Sequence, residues 1–255
     1  MENPATNKLL GYIQQELDPD AHQEELEHYS KLICPSLSFD IYVYKRFMEI
    51  PSTSMKKYIL ISLGQLEQED SKIQHRLKVL AGKAKKLHAR STVVARLDKN
   101  QSMSFLEEHH LQVPLPGKYR YGLFYEGELV SIAVFSGGRR MKDKPEDYRS
   151  FELLRFCHKS DQLIIGGLSK LIQAFIKDFH PGDIMTYVDK DWSQDSSLKT
   201  IGFQEMGSRE GARFWIAEQQ QHLIESEEQL LEMAENHPNG YLSQNSGSIK
   251  LVLAV

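Results

Sequence analysis

One stretch limits the fold more than any other. Leu168, Leu171, Ile172, Phe175, Ile176 and Phe179 recur at i, i+3, i+4, i+7, i+8 and i+11, the spacing of one apolar stripe along a helix. Gly166-Gly167 stands at its start and His180-Pro181-Gly182 ends it, as helix stop signals do. A stripe this apolar must be covered by another layer. Strands read on both sides of it: SFELLRFC (150–157) before, and Asp183–Asp189 after.

The same regularity extends outwards. Thr92–Leu97 reads as a strand, followed by a short helix with Met103, Phe105 and Leu106, capped by Asn100. After the loop VPLPGK (113–118) come two adjacent strands, YRYGLFY (119–125) and ELVSIAVF (128–135), with Glu126-Gly127 as a tight turn between them. Further on there is a helical turn before Gly202-Phe203, a strand at Arg213–Ala217 and an acidic helix at 222–235. The tail reads as a last hairpin turning near Asn245–Gly247. At the other end, residues up to Ile33 read as helix: Leu9, Leu10, Ile13 and Leu17 before a break at Asp18-Pro19-Asp20, then Leu26, Tyr29, Leu32 and Ile33. Leu37, Phe39, Ile41 and Val43 alternate as in a half-buried strand, and KKYILISLG (56–64) suits a strand or a short buried helix.

Composition narrows the class. With 255 residues, 40% hydrophobic and 26% charged, the chain has the balance of a globular protein with a real core. A disordered chain, a collagen and a coiled coil are excluded. The net charge of −4 excludes a molecule that is cationic overall. Two cysteines, Cys34 and Cys157, are too few for a disulfide framework and suit a reducing cytoplasm. The opening residues carry no sustained apolar core, so neither a signal peptide nor a membrane span is expected. One local bias stands out: residues 71–97 hold no acid and eight basic residues, Lys72, Arg76, Lys78, Lys83, Lys85, Lys86, Arg90 and Arg96. They form either a solvated face beside the acidic 65–70 or a patch for phosphates, in nucleic acid or in a nucleotide cofactor.

The order strand, helix, hairpin, strand, helix, strand, helical turn, strand over 92–217 resembles the GCN5-related N-acetyltransferase (GNAT) fold. The hairpin GLFYEGELVSIAVF, the glycine-opened helix and LKTIGF (198–203) carry the resemblance. The strings FLEEHHLQ (105–112), GLFYEGELV (122–130), ELLRFC (152–157), GGLSKL (166–171) and YVDKDW (187–192) look like phage and bacterial GNAT-like proteins, homing-endonuclease-associated or Mom-like. The expected fold is therefore α/β (mixed α+β): a GNAT-like central twisted mixed sheet flanked by helices. The expected domains are an N-terminal helix-plus-strand region, 1–90, and a GNAT-like domain, 91–255, that includes the C-terminal helix and hairpin. Gln162 stands one residue further from Gly166 than the family's acetyl-CoA signature places it. Leu168 takes the second glycine position, and Leu198 stands where a general-acid tyrosine is usual.

Acyl transfer to an amine needs a base, backbone donors for the thioester oxygen and a counter-charge for phosphates. A helix start supplies the last, because its free amides and positive dipole end face an anion. Gly166, Gly167 and the Ser169 hydroxyl would donate there and Lys170 would add charge; the glycines alternatively only let the helix approach the sheet. Phe156 and Cys157, on the strand before, join them as expected cofactor contacts, with plain packing the other reading for Cys157. Asp189, at the carboxyl end of its strand where active sites gather, is the first candidate base; capping of the turn before Trp192 is its alternative. Glu152 is the second, acting through water as the resemblance implies, or else a member of an ion pair. Glu152 and Arg155 face opposite sides of a regular strand unless a bulge intervenes. His110 is the third candidate; of the adjacent His109 and His110 at most one faces a cleft. No His/Cys spacing suits a metal.

The resemblance thus implies an acyl-CoA-dependent N-acyltransferase, using acetyl-CoA or another acyl-CoA, acting on a small-molecule or peptide amine. Two other readings stand beside it. One is a nucleic-acid-associated protein that modifies or recognises a base, with residues 72–96 and 139–144 on phosphates. The other is a non-catalytic GNAT relic serving as an interaction module.

Overall fold

The computed structural model describes residues 3–45, 56–192, 197–218 and 220–255. In chain order the elements are α1 (Pro4–Glu16), β1 (His22–Glu25), β2 (Tyr29–Ile33), β3 (Phe39–Tyr44), β4 (Lys57–Ser62), α2 (Leu63–Leu80), β5 (Lys85–His88), β6 (Val93–Arg96), α3 (Lys99–His109), β7 (Tyr119–Tyr125), β8 (Glu128–Phe135), β9 (Arg139–Arg140), β10 (Arg149–His158), β11 (Gln162–Ile165), α4 (Gly167–Phe179), β12 (Asp183–Asp189), α5 (Ser197–Thr200), β13 (Gln204–Arg209), β14 (Arg213–Ala217), β15 (Gln220–Ile224), α6 (Glu227–Asn236), β16 (Tyr241–Gln244) and β17 (Ser248–Ala254). This is a mixed α/β architecture, as expected. Two compact units form: 1–74 with 189–195 and 208–249, and 75–188 with 196–207 and 250–255.

In the first unit β1–β4 make one sheet in sequence order, antiparallel except for the parallel pair β3 and β4. The helix expected up to Ile33 stops at Glu16. Buried Asp18 takes the amides of Asp20 and Ser36, and these bonds turn the chain. Beyond them Ser30, Leu32 and Cys34 are buried while Tyr29, Lys31 and Ile33 are half-buried, the period of a strand, so Leu26–Ile33 is not helix. KKYILISLG resolves into the strand β4, whose Ile59, Leu60 and Ile61 are buried. A three-stranded sheet, β15-β14-β16, also lies in this unit.

The second unit holds the large mixed sheet, in the order β13-β17-β12-β10-β8-β7-β6, with β9 on β10. The helix stripe is as read: Leu171, Ile172 and Phe175 are buried. Phe175 stacks on Phe135 at 4.0 Å and meets Tyr121 edge-on. His180, in the left-handed region, closes α4. Glu126-Gly127 turns β7 into β8 with both φ angles positive. Three local readings change. The helix read at 222–235 begins only at Glu227, because Gln220–Ile224 pair with β14 as a strand. The cap of α3 is Asp98, which accepts the Gln101 amide at 2.9 Å; Asn100 already lies inside the first turn, where its side chain cannot reach those donors. The tail turns at 245–247, yet its strands do not pair as a hairpin: β16 pairs with β14, and β17 enters the large sheet.

Candidate active site

β10 is the hinge of the candidate site. It pairs with β8 from Leu153 to His158, and the register shifts between Leu153 and Arg155. This irregularity is a bulge, which places successive residues on one face. Leu154 and Cys157 pack on the cluster of Leu97, Phe105, Leu106, Ile132 and Val134, under α3. Phe151 packs on Phe175 of α4 instead. Past the bulge, Arg155 Nε reaches the Val113 carbonyl at 3.0 Å, in the loop that follows α3. Glu152 and Arg155 are therefore brought to the same side, the case a bulge allows. Burial pulls the Arg155 guanidinium below its ordinary range, and the Glu152 charge opposes that pull.

On its other edge β10 runs parallel to β12, with pairs Ser150–Asp183, Phe151–Ile184 and Glu152–Met185. Both strands continue, to His158 and to Asp189, without further ladder pairs. The strands part just past Glu152. Buried Thr186 bridges the point of divergence, its hydroxyl donating to the Leu153 carbonyl at 2.9 Å. The Glu152 main chain is held by Ser136, which donates its amide to the Glu152 carbonyl and accepts the Glu152 amide on Oγ, both at 2.9 Å. Among the described residues the Glu152 carboxylate has no hydrogen-bond or ion-pair partner.

The start of α4 is built for close approach. Gly166 has φ +76°, left-handed backbone that favours glycine, and a Cβ there would meet only Ala89 at 3.7 Å. Gly167 is crowded: a Cβ would come within 3.1 Å of His158 Cε1 and Ile164. Gly167 serves packing and Gly166 leaves the helix start open. The first-turn amides of any helix lack partners within it. The Lys170 ammonium is already engaged by the carbonyls of Ala89 and Thr92, at 2.7 and 2.5 Å.

His158 is a site residue that sequence reading missed. Ser131 donates its hydroxyl proton to the Cys157 carbonyl at 3.0 Å and lies 3.0 Å from His158 Nδ1. Nδ1 therefore carries the proton and donates it, and Nε2 remains an acceptor. Burial, aided by the Arg76 charge, lowers the imidazole to about 4, so it is neutral at pH 7. Phe156 packs edge-on against it at 4.9 Å. Of the adjacent histidines, His109 is the enclosed one, on Phe105 and 3.0 Å from Ser160 Oγ. His110 caps α3 and accepts the Gln112 amide at 3.0 Å.

Asp189, the last residue of β12, falls in the first unit and accepts the Asp191 amide at 2.9 Å. Asp191 is buried, with its carboxylate against the Ser246 amide. Burial first, then the Asp189 charge, raises it to about 7. The basic segment is divided: Lys72 pairs with Glu69, Lys78 lies 3.9 Å from Asp161, and Arg96 pairs with Asp178. Arg140, in the second basic loop, pairs with Glu146. Among the described residues no three His, Cys, Asp or Glu side chains gather as for a metal ion, and no helix is long and apolar enough to cross a membrane.

No family model and no curated protein matches the chain. Solved structures do. A GNAT family acetyltransferase from Elizabethkingia anophelis with acetyl-CoA bound aligns over 65% of this chain and 99% of its own, at 12% identity and TM-score 0.37. The ribosomal-protein-S18-alanine N-acetyltransferase from Escherichia coli aligns over 64% and 94%, at 12% identity and TM-score 0.42. Likeness this distant assigns no activity.

Proposed function

We propose that the chain is an acyl-CoA-dependent N-acyltransferase acting on a small-molecule or peptide amine. The observation that carries this reading is the parting of β10 and β12 directly after Glu152. Unpaired edges of two strands expose main-chain donors and acceptors to a ligand, and a carboxylate with no hydrogen bond or ion pair among the described residues stands at the fork. The donor set suits the cofactor: amides of the diverging strand for a thioester oxygen, and the open helix start at Gly166 with the Ser169 hydroxyl for a diphosphate. Bound acyl-CoA would supply the activated acyl carbonyl.

In this reading Glu152 is the base that takes the amine proton, directly or through water, and the Arg155 guanidinium lies on the same side of the strand. Arg155 also ties the 111–118 loop beside the acceptor side through Val113. Phe156 and Gly167 line the side of the strand that faces α4, Cys157 packs under α3, and Lys170 orders the Ala89–Thr92 turn. Asp189 shapes the end of β12, His110 the end of α3. The finer resemblance to phage and bacterial GNAT-like proteins leaves the acceptor open to nucleobase amines.

The test is calorimetric titration of the chain with acetyl-CoA and other acyl-CoA esters, followed by thiol release with a panel of amines. Binding at micromolar concentration and amine-dependent thiol release are expected. No heat with any CoA ester at millimolar concentration would sink the proposal.

A further inference from the structure

The short sheet of β5 and β11 presents a face that the reaction above does not use. The strands pair in parallel, Lys85 with Gln162, Lys86 with Leu163, Leu87 with Ile164 and His88 with Ile165. Paired residues share a face and alternate along the strand. Leu87 and buried Ile164 therefore point inward, while Lys86, His88, Leu163 and Ile165 form the outer face. Ile165 is 43% exposed, and Lys86 and His88 are exposed. The face has an apolar strip on one strand and a cationic strip on the other. Exposed Arg90 follows on the next turn, which Lys170 pins through the Ala89 and Thr92 carbonyls. Among the described residues Lys86, His88 and Arg90 have no acidic partner. The apolar strand runs directly into Gly166, where Ala89 lies alongside.

Resting on the acyl-CoA reading, we infer that this face holds the 3′-phosphoadenosine end of the cofactor and selects the 3′-phosphorylated form. A purine ring lies flat on aliphatic surface. Two cations, Lys86 and Arg90, without carboxylate partners among the described residues and one strand away, match the doubly charged 3′-phosphate, and Arg guanidinium binds phosphate in bidentate geometry. This occupant joins both halves of the strip in one molecule, which a free anion does not.

The experiment is calorimetric titration of the full chain with CoA and with 3′-dephospho-CoA at matched ionic strength. The wild type is expected to hold CoA at least about tenfold more tightly, as one charged hydrogen-bonded contact supplies. The double substitution K86E and R90E is expected to erase the preference and leave 3′-dephospho-CoA affinity within about twofold, as for exposed positions. Equal affinity of the wild type for both compounds overturns the inference while leaving the acyl-CoA reading intact; no heat with either overturns both. A preference that survives the double substitution, or a single-stranded oligonucleotide that displaces CoA from the face, also overturns it. Should the double variant misfold, the wild-type comparison alone decides.

Discussion

The hydroxyl of Thr186 donates to the carbonyl of Leu153 at 2.9 Å, at the place where two parallel strands stop pairing. One side chain thus substitutes for the ladder bond that the divergence removes, and the buried carbonyl is satisfied without closing the fork.

That bond has a measurable value. Thr186→Val keeps the shape of the side chain and leaves the Leu153 carbonyl without a partner in a buried setting. A loss of about 1–3 kcal/mol in unfolding free energy is expected, read by urea denaturation. Thr186→Ser is expected to recover most of it. Equal stability of the valine variant and the wild type would show that the hydroxyl does not hold the fork.

Glu152 gives the sharpest functional test. Its carboxylate makes no hydrogen bond or ion pair among the described residues, so Glu152→Gln is expected to lower the melting temperature only slightly, through loss of the charge that opposes the burial of Arg155. Amine-dependent thiol release is expected to fall by about 10²–10⁴-fold, the range of a lost general base, with CoA affinity retained. Full activity of the variant would remove Glu152 from the role.

Asp191 makes stability depend on pH in a known direction. Burial pushes its carboxyl up to about 7 in the folded chain, against 3.8 for an ordinary aspartate, so between those values the folded state binds more protons than the unfolded one. Its contribution is therefore fully present below the lower value and is lost as pH rises through 7, with a slope of at most about 1.4 kcal/mol per pH unit. Asp191→Asn, which keeps an acceptor for the Ser246 amide, is expected to raise stability at pH 8 and change little at pH 4. Parallel stability-pH curves for the two proteins would contradict the assignment.

Gly182 is required by contact. A Cβ there would lie 2.3 Å from the Tyr148 ring, whose hydroxyl donates to Asp183 at 2.5 Å. Gly182→Ala is expected to cost about 1–3 kcal/mol, as overpacking does, read as a lowered melting temperature. An unchanged melting temperature would mean that the Tyr148 ring shifts freely.

His158 and Thr186 were invisible in the sequence because a histidine at a strand end and a threonine mid-strand carry no local signal. Their roles come from Ser131 and Leu153, far along the chain. The outcome for Glu152 and Arg155 had a similar source: alternation puts them on opposite faces, and only a bulge against β8 reunites them. Leu26–Ile33 shows the reverse failure, since a few apolar residues fit both a helix and a strand until Asp18 commits its carboxylate to two amides.

Periodicity and turn chemistry alone determined the helix 167–179, the hairpin at Glu126-Gly127 and the strands on each side, because each depends on side chains a few positions apart. Tertiary structure alone decided where parallel strands separate, which carboxylate stands at the fork, and that β16 and β17 enter different sheets. Those outcomes depend on hydrogen bonds between segments distant in sequence, and no local pattern encodes which distant partner a strand edge will find.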